Sequence, residues 1–124
     1  MVDTSILIDY FRRTDKSRSR LVHHFKDYDR LYISSVTEFE IVTGARAPHI
    51  RFWDSMLSRF TVLDFDSRSA RKAAMIVEQL KVVRKTIAKP DLFIASTALV
   101  NDLDFDTLNV KHFIHIEGLR LAKV

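Results

Sequence analysis

Residues 61–85 read TVLDFDSRSARKAAMIVEQLKVVRK. Two periods meet in this stretch. Thr61 to Phe65 is a short run rich in β-branched and aromatic residues, which predicts a strand. Ser67 then stands as an N-cap, and Ala70, Ala73, Ala74, Val77 and Leu80 recur at helical spacing as an apolar stripe. The reading is a strand followed directly by a long helix that runs to Lys85.

The same unit recurs on both sides. Upstream, Leu31 to Ile33 predicts a strand and Ser35 begins a helix that runs to Ala47. The amphipathic stretch Ile50 to Phe60 leads into the strand at 61. Before these, Met1 and Val2 are a short apolar entry to helices over 5–13 and 17–28, the second carried by Leu21, Val22, Phe25 and Tyr28. Downstream, Pro90 opens a helix over 91–101, because proline suits a first turn. Phe105 to Leu108 predicts a strand, and Leu119 to Leu121 a short last one. Strands alternating with helices form βαβ units. The expected fold is therefore α/β: a three-layer α/β/α domain around a central, mainly parallel sheet.

Composition sets the limits. The 124 residues suit a single domain, 1–124. Apolar residues at 47% against 29% charged exclude a disordered chain. Two glycines and two prolines are too few for an all-β protein full of tight turns. The absence of cysteine excludes disulfide scaffolds, thiolate-held zinc and thiol catalysis, and fits a cytoplasmic setting. No apolar run is long enough to predict a transmembrane helix. The opening MVDTSILIDYFRR puts an acid at position 3 and its basic residues after the apolar ones, the reverse of a signal peptide. A formal net charge of +4 suggests an anionic partner.

In an open parallel sheet, ligands sit at the carboxyl ends of the strands, where the following helices begin. Asp3 follows the first strand there. It also reads as an N-cap, as Thr4 and Ser5 do. Ser35 and Glu38 have capping-box spacing, which gives Glu38 a structural role. Glu40 is left without one and shares a helix face with Val36, Thr43 and Gly44. Asp91 suits a helix first turn. Ala95 and Ala98, at i+4 and i+7, continue its side of the helix as a small apolar stripe toward the sheet, so the carboxylate needs a partner. Asn109 follows the strand at 105–108, where a turn or cap asparagine is equally at home. Asp104 and Asp106 point to the face opposite Phe105 and Thr107, and Asp106 is unexpected in a buried strand. Three carboxylates and one amide on one sheet edge are hard oxygen donors that suit Mg²⁺ or Mn²⁺. Such an ion activates water and stabilises charge on a phosphoryl group. That chemistry is a phosphodiesterase's.

Four segments, VDTSILIDYF (2–11), ISSVTEFEIVTGA (33–45), PDLFIASTAL (90–99) and TLNVKHF (107–113) with IEGLRL (116–121), come in order over the whole chain. With them the sequence resembles the PIN-domain family, and within it the VapC-type toxin ribonucleases of type II toxin–antitoxin systems. The resemblance implies a metal-dependent endoribonuclease. Asp3, Glu40 (rather than Glu38) and Asp91 match metal-binding acids, and Asn109 matches a fourth catalytic position. Thr4 and Thr107 match supporting hydroxyls. His112 stands where many relatives carry another acid, which leaves three carboxylates. Asp9 matches a recurrent acid and reads equally as an exposed helix charge. Only Met1 and Val2 precede Asp3, where relatives have several strand residues; this leaves open whether the natural N-terminus lies upstream. The implied partners are RNA, a small antitoxin that blocks the pocket, and a second copy of the chain, as a homodimer or within a toxin–antitoxin hetero-oligomer.

Arg12, Arg13, Arg46, Lys89 and Lys111 are rim candidates for a nucleic-acid strand. Phe11, Phe39, Phe52 and Trp53 are candidate contact anchors that read equally as core. Two rival functions stand beside this reading. One is a catalytically impaired PIN-like module that binds RNA or regulates. The other is a phosphoacceptor receiver domain, which needs an acidic pair after its first strand; here the next acid after Asp3 is Asp9, and Asp64 and Asp66 lack the rest of the pattern. A serine or histidine hydrolase is disfavoured, because His23, His24, His49, His112 and His115 carry no nucleophile motif.

Overall fold

A computed structural model describes residues 1–122. Its helices are α1 (Thr4–Arg12), α2 (Arg20–Asp27), α3 (Ser35–Gly44), α4 (Ile50–Leu57), α5 (Ser67–Val82), α6 (Lys89–Val100) and α7 (Val110–Phe113). Short 3-10 turns over Lys16–Arg18 and Ala47–His49 precede α2 and α4. The strands are β1 (Tyr32–Ser34) and β2 (Thr61–Leu63), paired in parallel with Ile33 opposite Val62. No helix among the described residues is long and apolar enough to cross a membrane.

The sheet extends beyond these two strands through single bridges. The Val2 amide donates to the Tyr32 carbonyl at 3.0 Å. Val2 bridges Asp106 in parallel, and Phe105 bridges Leu121 in parallel. The spatial order is therefore β2, β1, Val2, Phe105–Asp106, Leu121. The strands expected at 1–2, 105–108 and 119–121 contract to these bridges for a local reason. Asp3 is already extended cap backbone, at φ −92° and ψ 178°, so the chain turns into α1 at once. On the other segment, the amides of Leu108 and Asn109 go to side-chain hydroxyls instead of to a ladder.

In chain order the sheet runs 3-2-1-4-5. A receiver domain runs 2-1-3-4-5, with its third strand beside its first. Here the third segment lies outside the second, which rules that architecture out.

Two apolar clusters flank the sheet. Val2 and Ile33 join Ile6, Leu7, Leu21, Trp53 and Phe60 on one side. Phe105 joins Ile76, Leu80, Leu92, Ile94 and Phe113 on the other. The three-layer α/β/α arrangement follows, with α1, α2 and α4 over one face and α5 against α6 over the other.

Several local expectations shift. Asp66, not Ser67, caps α5, its carboxylate accepting from the Ser69 amide at 2.9 Å. The buried stripe of α5 is Ser69, Ala73, Ile76 and Leu80: of the expected apolar stripe Ala73 and Leu80 are buried and Val77 is half-buried, while Ala70 and Ala74 are exposed. The helix ends at Val82 and the chain reverses through Arg84 at φ 58°. Ser34 caps α3, and the Ser35 hydroxyl accepts from the Phe65 amide at 3.1 Å, so the Ser35–Glu38 capping box does not form. That helix stops at Gly44, a poor helix former, and so ends short of Ala47, whose own position before Pro48 disfavours helix. The stretch before β2 is helical only to Leu57, and Phe60 enters the core from the turn that follows.

Candidate active site

The order of sheet segments reverses between Val2 and Phe105–Asp106, and in open α/β sheets that point opens a crevice at the carboxyl ends. Asp3 leaves the sheet there. It is 3% exposed and caps α1. Its Oδ1 accepts from the Ser5 amide at 3.0 Å and from the Ser5 hydroxyl. Its Oδ2 accepts from the Thr107 hydroxyl at 2.7 Å.

The direction of those hydroxyl protons is forced. The Leu108 amide donates to Ser5 Oγ at 3.0 Å, and the Asn109 amide donates to Thr107 Oγ1 at 2.9 Å. An amide can only donate, so each hydroxyl accepts from it, and the short contacts to Asp3, against 3.5 Å between the two hydroxyls, direct each single proton to the carboxylate. Burial pushes the Asp3 carboxyl above its ordinary range, while the Ser5 and Thr107 hydroxyls and the Ile6 and Ser5 amides pull it back.

Glu40 reaches the same region from the middle of α3. The Thr4 hydroxyl donates to Glu40 Oε1 at 2.7 Å and lies 3.2 Å from Thr37 Oγ1. One dipeptide, Asp3-Thr4, therefore supplies one candidate acid and orients the second. Asp91 stands half-buried in the first turn of α6, where its Oδ2 is 3.3 Å from Nδ1 of His112 on α7. Asn109 sits at the cap position of α7 and is exposed; its side chain makes no cap bond, and its amide serves Thr107.

The donor set suits a hard divalent cation, being carboxylate oxygen with hydroxyl support. The acids are held by different partners: Asp3 by Ser5 and Thr107, Glu40 by Thr4, Asp91 by His112. Among the described residues, no three Asp, Glu or His side chains are gathered closely enough to hold one ion as they stand. The chemistry of the donors fits an ion; their present rotamers do not enclose it.

A groove of about 420 Å³ runs from Glu40 between α1, α3 and α4, walled by Ile8, Phe11, Trp53, Arg12 and Arg46. Arg12 and Arg46 thus border the site. Arg13 is committed to Asp9, which is half-buried, at 2.8 Å. Lys89 and Lys111 are exposed. Of the four anchor candidates only Phe39 is open, at 66%. Trp53 is core, and Phe11 and Phe52 pack with it.

Two features escaped the sequence reading. Ser5 and Thr37 join the hydroxyl network; the Asp3-x-Ser5 spacing, which lets a cap hydroxyl reach back to its own acid, was the available signal for Ser5. Asp106 is paired with Arg20 and His24 across 86 and 82 residues, a separation that no local pattern reveals.

Residues 1–116 match the family model described as PIN domain. Over 120 residues the chain is 34% identical to ribonuclease VapC10 of Mycobacterium tuberculosis, covering 97% of this chain and 90% of that protein. It is 30% identical over 132 residues to ribonuclease VapC1 of Rickettsia felis, covering 100% and 95%. The solved structure of DNA-bound VapBC from Salmonella typhimurium superposes with a TM-score of 0.87 at 26% identity, over 98% of this chain and 95% of that one. The acid at the switch point, the hydroxyls that hold it and the helical layers around it thus sit in a known frame: this chain belongs to the PIN domain family, among its VapC members.

Proposed function

We propose that this protein is a divalent-metal-dependent endoribonuclease toxin, active on RNA phosphodiesters and held silent by a small antitoxin. The observation that carries the reading is Asp3: a buried carboxylate at the sheet's switch point, held between two hydroxyls whose protons are directed at it. Its relatives' names supply the substrate class, and the neighbouring VapBC assembly supplies the antitoxin. Asp3, Glu40 and Asp91 are the residues that would hold Mg²⁺ or Mn²⁺, with Asn109 beside them. When bound, such an ion supplies positive charge against the phosphoryl oxygens and lowers the pKa of water.

The chain's own residues do the rest. Ser5 and Thr107 hold Asp3 at one orientation, and Thr4 turns one oxygen of Glu40 while leaving the other open. Arg12 and Arg46 place positive charge along the groove for a phosphate backbone or an acidic partner segment. A cytoplasmic location and a pair of copies in solution complete the proposal; the missing cysteine supports the first, and exposed Phe39 and Val42 on α3 support the second.

The test is cleavage of a total RNA pool, mapped to single nucleotides, with and without Mg²⁺. Wild type should cut only with the ion, and Asp91→Ala should lose about a hundredfold or more in rate. Unchanged cutting by Asp91→Ala would falsify the assignment. His112 on Asp91 favours a second reading, an RNA-binding module with impaired catalysis. Calorimetric titration with Mg²⁺ separates the two, since only the nuclease should bind the ion in a way that Asp91→Ala removes.

A further inference from the structure

The Asp106 side chain has no part in the site just described, yet the residue is 3% exposed. Two residues of α2 hold its carboxylate. Arg20 donates through Nε to Oδ2 at 3.1 Å and through its second nitrogen to Oδ1. His24 Nε2, one turn further along the helix, is 2.5 Å from Oδ2. Arg20 and His24 are four residues apart and so share a face. The planar guanidinium fork grips both oxygens at once, which fixes direction as well as distance.

The backbone of the same residue lies directly against Met1 and Asp3. Its amide donates to the Met1 carbonyl at 2.9 Å, and its carbonyl accepts from the Asp3 amide at 3.0 Å. One residue on, Thr107 donates its hydroxyl to Asp3. This segment is tied to each neighbour by a single bridge. A segment so short has little ladder to set its register, and a slip of one residue would turn Thr107 to the other face. A buried carboxylate that fits only one fork can set it.

We infer that Asp106 is a positioning residue: clamped by Arg20 and His24 from below the sheet, it fixes the 105–107 segment so that the Thr107 hydroxyl stays on Asp3. An apolar residue would fill the space at less desolvation cost, but it would not choose a register. The inference rests on the proposed ribonuclease activity for its rate measurement only.

The test is Asp106→Asn in the full chain, which keeps the side chain's size and removes its charge. Backbone amide exchange by NMR is the first readout. Protection of the Leu108 and Asn109 amides, which lie on the Ser5 and Thr107 hydroxyls, should fall by about tenfold or more. The Thr61 amide, bonded to Leu31 at 2.9 Å on the far side of the sheet, should hold its protection. The second readout is RNA cleavage, in which kcat should fall by about tenfold with KM unchanged. Equal loss at all three amides, or no loss at any, overturns the clamp. If Asp106→Asn does not fold, Arg20→Gln, which leaves His24 on the carboxylate, takes its place under the same criteria. A wild type that cuts no RNA would count against the ribonuclease reading, while the exchange data would still decide the clamp.

Discussion

Thr107→Val removes one hydroxyl from a residue that is 1% exposed. The shape is nearly kept, so the effect is almost wholly that of the hydrogen bonds. Two are lost. The bond to Asp3 Oδ2, at 2.7 Å, is made to a buried carboxyl oxygen, and where that group is ionised such bonds contribute about 1.5–3 kcal/mol. The bond from the Asn109 amide, at 2.9 Å, counts for less, because Asn109 is exposed and water can take its place. A total near 2–3 kcal/mol follows. For a chain of this size that is a fall in Tm of about 6–12 °C. The pH dependence carries the sharper claim. The lost bond stabilised the ionised form of Asp3, so the variant's carboxyl should sit higher still than the already raised wild-type value. The deficit is then full where Asp3 is ionised and shrinks where both proteins hold the proton. Urea unfolding followed by circular dichroism at about pH 7 and at about pH 4, near the ordinary aspartate value, measures it. A deficit of equal size at both pH values would refute the assignment of the Thr107 proton to Asp3, and one under about 0.5 kcal/mol would refute the bond's importance.

Two further substitutions probe the same network. Thr4→Val frees Glu40 Oε1 from its 2.7 Å bond; stability should fall by about 1–2 kcal/mol and the RNA cleavage rate by about tenfold, and a variant equal to wild type in both would show that Thr4 orients nothing. Asp3→Asn should abolish cleavage to within about a hundredth of wild type. It should also flatten a pH trend. Burial raises the Asp3 pKa in the fold, so the folded chain binds the proton more tightly than the unfolded one, and wild-type stability falls as pH rises from the ordinary 3.8 through the raised value. Denaturant midpoints across that window should decline in wild type and not in Asp3→Asn; parallel curves would sink the idea.

How much of this was legible beforehand differs by kind of interaction. The helices were, because their signals are local: Pro90 at the start of α6, and the heptad-like apolar spacing of α5 even with its cap misplaced by one residue. The parallel arrangement was legible too, from alternation alone. The true extent of the strands was not. Asp3, Thr107 and Leu108 have ordinary strand propensities or ordinary cap roles, and only the fold shows that their backbone groups are spoken for elsewhere. At the site, Asp3 was marked by its place after the first strand, whereas Glu40 was preferred to Glu38 by the resemblance and by a capping box that does not form; Thr4 meets Glu40 through a contact that spans 36 residues. The Arg20–Asp106 pair was illegible in principle from one sequence, since nothing local distinguishes Arg20 from the other basic residues around it.

The shortness of the sheet and the chemistry of the site have one cause. Each amide that leaves the ladder at Leu108 and Asn109 is received by a hydroxyl, and each of those hydroxyls makes its shortest contact with Asp3, well inside the 3.5 Å between the two hydroxyls themselves. Extending the strand past Asp106 would return both amides to a ladder and release both hydroxyl protons from their fixed direction. Asp3 would keep its burial and lose the groups that favour its charge. A longer, more regular sheet would thus shift the carboxyl further toward its neutral form, which is a poor ligand for any cation. The irregular backbone beyond the switch point is therefore what draws a buried aspartate back toward its charged form, and the clamp on Asp106 holds that irregular stretch in register at the last residue where the sheet still can.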